Sequence, residues 1–364
     1  METPWGQLSD LNLADHELAV DVLSADKHQL VEGLVVECLF DQVVANVPAV
    51  SGQNVIALDV DSVVVDTMRK KDRWLCFVWA RSMTKGLGRY LLALEKCLAP
   101  YLVTYSDGEF MATRVRGGKR ELPARLLPEL MLELSGGKMT PFRVDGSVKN
   151  RNRQRQAFWG FISEYYQDSL GERVVLPRIL INYVIQPYFR AVWNLDRIFI
   201  IDDVVWLFEI KHKFPMDRNG LHFGINDGEL GVLEMLAGAG IRCFHTILVK
   251  PFWSKDVGSM YLLNDLNIRT QAAIIAVVLD EAAIVRIMGR RSGRSGAHTS
   301  ITGSSGLSFK SISAVDFKVL GQLSDPPLDV AAKMYAVMTG AQSVPVSDDW
   351  LRSLRAQNLE HRSS

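Results

Sequence analysis

Apolar positions between about residues 14 and 46 recur at mixed helical spacing (Leu18, Val22, Leu30, Leu34, Val35, Leu39), which predicts one or two helices. Two β-branched and aromatic runs follow, at 55–65 and 74–80, and read as strands. A helical pattern covers 87–98, a further strand 101–105, and Ser106-Asp107-Gly108 carries turn chemistry. Near Gly136-Gly137-Lys138 the composition becomes polar and basic, so a boundary is expected at about 140, closing a 1–140 α/β domain of unassigned role.

Beyond it, Phe158, Phe161, Ile162, Tyr165 and Tyr166 trace the apolar face of a helix over 154–170, with Glu164 at its edge. Strands are expected at about 178–184 and from 190 through 211, then a loop at 215–226 and a helix at 229–236 ended by Gly238 or Gly240. A strand at 243–249 follows, and 272–288 reads as a helix. The expected division is therefore a 141–288 core, a flexible Ser/Gly/Arg linker at 289–312 and a short helical tail at 313–364.

Composition changes this picture little. The chain has 364 residues, 48% of them apolar, which is ample for two packed cores. Lys plus Arg and Asp plus Glu balance at 41 each, so the mean charge favours neither nucleic acid nor membrane and any basic surface must be local. Cys38, Cys76, Cys97 and Cys243 sit far apart among apolar neighbours, without metal-ligand spacing, and read as reduced core residues of a cytoplasmic protein. The N-terminal residues lack the basic-then-apolar order of a signal peptide, and no apolar run is long enough to span a bilayer.

The candidate chemistry lies in one hairpin. Ile198 to Ile201 and Val204 to Phe208 flank Asp202-Asp203, a tight-turn signal. Pairing Ile201 with Val204 and counting outward sets Ile198 against Leu207 and Asp196 against Glu209. Alternation along the strand then brings Asp196, Glu209 and Lys211 to one face. Like charges directly opposite each other destabilise a sheet unless something compensates, and a divalent cation is the obvious compensation. Two carboxylates with backbone carbonyls and waters form a hard oxygen set suited to Mg²⁺, and the His and Cys cluster expected for zinc is missing.

With its helix, three strands, helix, strand order and its Asp followed after a hairpin by Glu-x-Lys, the stretch at about 150–255 resembles the PD-(D/E)xK nuclease superfamily. The resemblance implies an α/β, restriction endonuclease-like core with a mixed sheet. It implies metal ligands at Asp196, Glu209 and the Ile210 backbone, a water-orienting Lys211, and an added carboxylate from the helix before the sheet, Glu164. It also implies Mg²⁺, with Mn²⁺ as a substitute, and DNA as substrate ahead of RNA. Leu195 stands where the motif's name has proline.

Other residues have competing readings. The stretch Val55 to Asp66 resembles the nucleophile strand of haloacid dehalogenase-like phosphatases at Asp59 and Asp61. The Asp-x-Asp-Gly-Thr continuation is absent, so an ordinary strand with exposed Asp59, Asp61 and Asp66 is the favoured reading. His212 and Lys213 are either phosphate contacts or a strand end entering solvent, Lys250 either reaches the same sheet end or is an ordinary capping lysine, and Glu229 and Glu234 read as surface charges. Lys149, Arg151, Arg153 and Arg155, together with Arg114, Arg116, Lys119 and Arg120, are candidate phosphate contacts, as are Arg286, Arg290, Arg291 and Arg294. The expected function is a metal-dependent nuclease acting on DNA without membrane association, leaving homo-oligomerisation open. The alternative is a catalytically silent nuclease-fold module that binds nucleic acid or acts as a scaffold.

Overall fold

The computed structural model describes residues 1–52, 55–70, 72–296 and 300–356. Two helices open the chain, α1 (His16–Ser24) and α2 (His28–Val44). Asp15 caps α1 by accepting the amide N–H of Glu17 at 2.9 Å. Next come β1 (Val55–Leu58), β2 (Val60–Asp66), β3 (Trp74–Ala80), α3 (Leu87–Glu95), β4 (Ala99–Ser106), β5 (Glu109–Arg116), β6 (Lys119–Leu126) and α4 (Leu127–Leu134). A helical stretch begins with α5 (Arg151–Ala157) and leads to β7 (Ala191–Leu195), β8 (Arg197–Ile201), β9 (Val204–Lys213) and β10 (Leu221–Asn226). The chain continues through α6 (Asp227–Gly238), β11 (Arg242–Val249), β12 (Ala273–Leu279), α7 (Glu281–Met288), β13 (Ser308–Ser313), β14 (Lys318–Gln322) and α8 (Pro327–Thr339).

The architecture is mixed α/β. The main sheet runs β14-β12-β11-β9-β8-β1, and a second six-stranded sheet runs β6-β5-β4-β3-β2-β7. In the main sheet β8 is antiparallel to both β1 and β9, whereas β9 and β11 are parallel and need the crossover helix α6 between them. Phe199, Ile201, Trp206 and Phe208 belong to one apolar cluster, with Val35 and Leu39 of α2. Ile198, Ile200, Val205 and Leu207 belong to the other, with Leu230 and Leu233 of α6. The alternation visible in the sequence thus becomes a sheet buried on both faces. No helix among the described residues is long and apolar enough to cross a membrane.

A two-stranded ribbon joins the two sheets. β1 pairs with β8 in the main sheet, and immediately beyond, β2 pairs with β7 in the second. The continuous strand expected over 55–65 therefore breaks at Asp59, and its antiparallel partner breaks at Asp196. The boundary expected at 140 does not divide the sheets, because β1 pairs with β8, and β2, besides β3, pairs with β7, both beyond residue 190.

Three other expectations change. The apolar run at 178–184 is helical rather than extended, and Ile179, Leu180, Val184 and Ile185 are all buried; a short apolar run cannot be assigned by period alone. The run at 272–288 is strand β12 followed by α7, divided at Asp280, whose carboxylate accepts the Ala283 N–H at 2.8 Å as an N-cap. Part of the expected linker is strand β13, paired with β10, and the expected helical tail contributes the edge strand β14. Residues 297–299 of that linker and 357–364 of that tail lie outside the described residues.

Candidate metal centre

The β8–β9 hairpin has the expected two-residue turn. Asp202 and Asp203 sit at φ 46° and 67°, the left-handed pair that matches the twist of the flanking strands, and Asp tolerates it better than most residues. Arg89 donates to the Asp203 carboxylate from outside. The register runs from Ile201 against Val204 to Arg197 against Phe208. The pairing stops there; Asp196, the next residue, lies outside the ladder, and its charge acts on Glu209.

Asp196 is the residue at which the chain leaves one sheet for the other, between Leu195, paired with Ser62, and Arg197, paired with Phe208. Its Oδ2 accepts the Ile210 N–H at 3.3 Å, which ties the carboxylate to β9. Glu209 is 4% exposed. The Lys211 ammonium donates to Glu209 Oε1, and its Nζ lies 3.5 Å from Oε1 of Glu229 in the first turn of α6. The first turn of that helix is fixed by Asn226, whose side chain accepts the N–H of Gly228 at 2.8 Å and that of Glu229 at 3.4 Å.

Burial first, and then the Asp196 charge, push the Glu209 carboxyl well above the ordinary range. Burial acts to lower Lys211, but the carboxylates of Glu209, Glu229 and Asp196 outweigh it and hold the ammonium charged. Burial likewise acts to raise Glu229, and the Lys211 and Lys213 cations bring it below the usual value instead. Glu229 is thus a partner of the site rather than the solvated surface charge expected; Glu234, on the outer side of the same helix, is exposed as expected.

The helix carboxylate electrostatically coupled to Asp196 comes from α2. Glu37 is pushed up to about 7, by burial and then by the Asp196 charge. Arg197 links the two elements: it donates to Asp41 on α2 at 3.0 and 2.8 Å and lies 3.6 Å from Glu37. Glu164 instead sits exposed on the short helix Ser163–Tyr166, and no hydrogen bond or ion pair joins it to Asp196, Glu209 or Lys211 among the described residues. The signal for Glu37 was present as two carboxylates, Glu37 and Asp41, at i and i+4 in a largely apolar helix.

On β11, His245 is the register partner of Glu209, is 1% exposed, and leaves Nδ1 without a hydrogen-bond partner. Burial pushes it down to about 3, so it is neutral. His212 points to the opposite face, half-buried, with Nε2 2.7 Å from the Tyr261 hydroxyl, rather than entering solvent. Lys213 donates to the Gly224 carbonyl at 2.6 Å and Lys250 to that of Val257 at 3.0 Å.

The basic cluster separates into two kinds of residue. Arg153 is bound to the buried Glu32, with Nη2 2.8 Å from Oε2, and packs where Gly258 leaves room. Arg151 and Arg155 are exposed and Lys149 is half-buried. Asp59 and Asp61 are not free strand carboxylates, since Arg81 pairs with both and Arg173 with Asp59. These ion pairs line a cleft of about 380 Å³ that Arg197 also borders. Asp66 is buried against Arg73 rather than exposed.

Two opposed carboxylates that repel each other suit a hard divalent cation, with the Ile210 carbonyl as the expected third ligand. Among the described residues no group of three or more His, Cys, Asp or Glu side chains forms a ready metal cage. No protein-family model, no curated protein and no solved structure matches this chain.

Proposed function

We propose that the chain is a divalent-metal-dependent nuclease, using Mg²⁺ or Mn²⁺ to hydrolyse nucleic-acid phosphodiester bonds, with DNA preferred to RNA, on a restriction endonuclease-like core. What supports the reading is the group at the open end of the hairpin, where the Asp196 carboxylate accepts the Ile210 N–H, its charge acts on Glu209, and Lys211 donates to Glu209. The element order supports it once the second sheet is regarded as an insertion between β1 and β8. The sequence α2, then β1, β8 and β9 as neighbouring antiparallel strands, then α6, then β11 parallel to β9 is helix, three strands, helix, strand. Glu37 on α2 then occupies the role first given to Glu164.

A divalent cation bound by Asp196 and Glu209 supplies charge neutralisation at the phosphate and an acidified water. Asp196 is held by the Ile210 amide, so its carboxylate is oriented before any ligand arrives. Lys211 remains an ammonium at this site, where it steadies charge developing on the phosphate oxygens and orients the attacking water. Exposed Arg151 and Arg155 supply sequence-independent phosphate contacts.

The test is incubation of the protein with plasmid DNA and with RNA in Mg²⁺ or Mn²⁺, beside Glu209→Ala and Lys211→Ala. Metal-dependent cleavage that falls by at least about a hundredfold in both variants is expected. Undiminished cleavage by both, or none from the wild type in any metal, removes the nuclease reading. Binding without cutting points to the silent module.

A further inference from the structure

We propose that Glu229 is the acceptor that receives the Lys211 ammonium when a divalent cation engages Glu209. The inference rests on the reading of Asp196 and Glu209 as the metal-binding pair. It concerns what this chain's own side chains must do for that pair to become free.

As described, Lys211 donates to Oε1 of Glu209. The positive charge that compensates the opposed carboxylates is therefore already there, supplied by the protein. A divalent cation and an ammonium on the same buried carboxylate oxygen repel each other, so binding of one requires displacement of the other. Moving a lysine away from its partner without a second acceptor would leave an uncompensated buried charge, which is strongly unfavourable.

Glu229 meets the requirement. Its Oε1 is buried, makes no hydrogen bond, and lies 3.5 Å from Lys211 Nζ, so a shift of the flexible lysine terminus converts a loose ion pair into a direct one. The carboxylates acting on Lys211 are Glu209, Glu229 and Asp196, of which Asp196 belongs to the ligand pair and already accepts the Ile210 N–H. Glu37 is engaged by Arg197. The neighbouring cation, Lys213, is bound to the Gly224 carbonyl and does not compete at close range for Glu229. The asparagine cap at the start of α6 keeps Glu229 in place while Lys211 moves. Glu229 is in this sense a positioning residue, acting on the site through Lys211.

Calorimetric titration of the full chain with MnCl₂ and MgCl₂ tests this, using wild type, Glu229→Gln, Lys211→Met and the double variant. Glu229→Gln is expected to weaken divalent affinity about tenfold when Lys211 is present, and by much less in the Lys211→Met background, where no ammonium needs an acceptor. Glu229→Asp, which keeps the charge but withdraws the oxygen, is expected to follow Glu229→Gln. Equal losses in the two lysine backgrounds would mean that Glu229 contributes charge alone, and the transfer is then wrong. If wild type takes up no divalent cation, the metal reading and this inference both fall. If wild type binds the cation but Glu229→Gln binds it as well as wild type, only this inference fails. Should Glu229→Gln not fold, a structure of the wild type with Mn²⁺ decides: Lys211 Nζ against Glu229 supports the transfer, and Nζ still on Glu209 overturns it.

Discussion

Single residues around the seam carry charge states that neither their identity nor their neighbours in sequence announce. Glu37 is an example: burial and the Asp196 charge push it from an ordinary 4.5 up to about 7. The folded chain thus holds this proton more tightly than the unfolded one, and the resulting stabilisation is complete below pH 4.5 and drains away as the pH rises through 7. Over that window the wild type is expected to lose on the order of 3 kcal/mol from this group, and Glu37→Gln to make the slope shallower by that share, leaving the part that Glu209 contributes. Urea unfolding at pH 5 and pH 8 measures it; the same pH dependence in wild type and variant would show that Glu37 titrates normally.

At the scale of elements, the basic run ahead of and within α5 has two jobs on one helix. Arg153 faces inward to Glu32, so Arg153→Ala leaves a buried carboxylate unpaired and is expected to destabilise the fold by about 3 kcal/mol. Arg151→Ala and Arg155→Ala, on the exposed side, should change stability by less than about 0.5 kcal/mol and flatten the salt dependence of nucleic-acid binding. Thermal melts and binding at several salt concentrations separate the two. If Arg153→Ala is as stable as wild type, the ion pair adds nothing; if the exposed pair leaves the salt slope intact, nucleic acid binds elsewhere. The same element shows why a charge run could not be apportioned from its spacing: the arginines alternate, but which side faces α2 depends on how the two helices pack.

Over the whole molecule, the ribbon that crosses from one sheet to the other makes the two sheets interdependent. β1 and β2 come from the first quarter of the chain, and their partners β8 and β7 lie beyond residue 190. One apolar cluster also spans both, including Val63 and Phe77 of the second sheet with Phe199 and Phe244 of the main one. Unfolding is therefore expected as one transition, with near-UV and far-UV signals coinciding. Fragments 1–140 and 141–364, produced separately, should each lack a cooperative melt. A fragment melting cooperatively on its own would support the boundary at 140 and overturn this expectation.

What the sequence determined by itself is local. The Asp202-Asp203 turn, the period-2 runs on either side of it and the pairing of Ile201 with Val204 through Arg197 with Phe208 all follow from turn chemistry and alternation over some twelve residues. The α6 helix followed by β11 was legible for the same reason, since its apolar spacing and terminal glycines are contiguous. Only tertiary structure decided which distant elements complete the site. Glu37, Glu229 and His245 reach it through helix packing and parallel strand pairing, contacts between residues tens to more than a hundred positions apart that leave no periodic trace. The apolar runs at 178–184 and 273–279 carry no clear period because they are largely buried, which erases the polar face that tells helix from strand. The adjacency of β1 and β8 was hidden for a related reason, as most of the second sheet lies between them along the chain while hydrogen bonding brings them together.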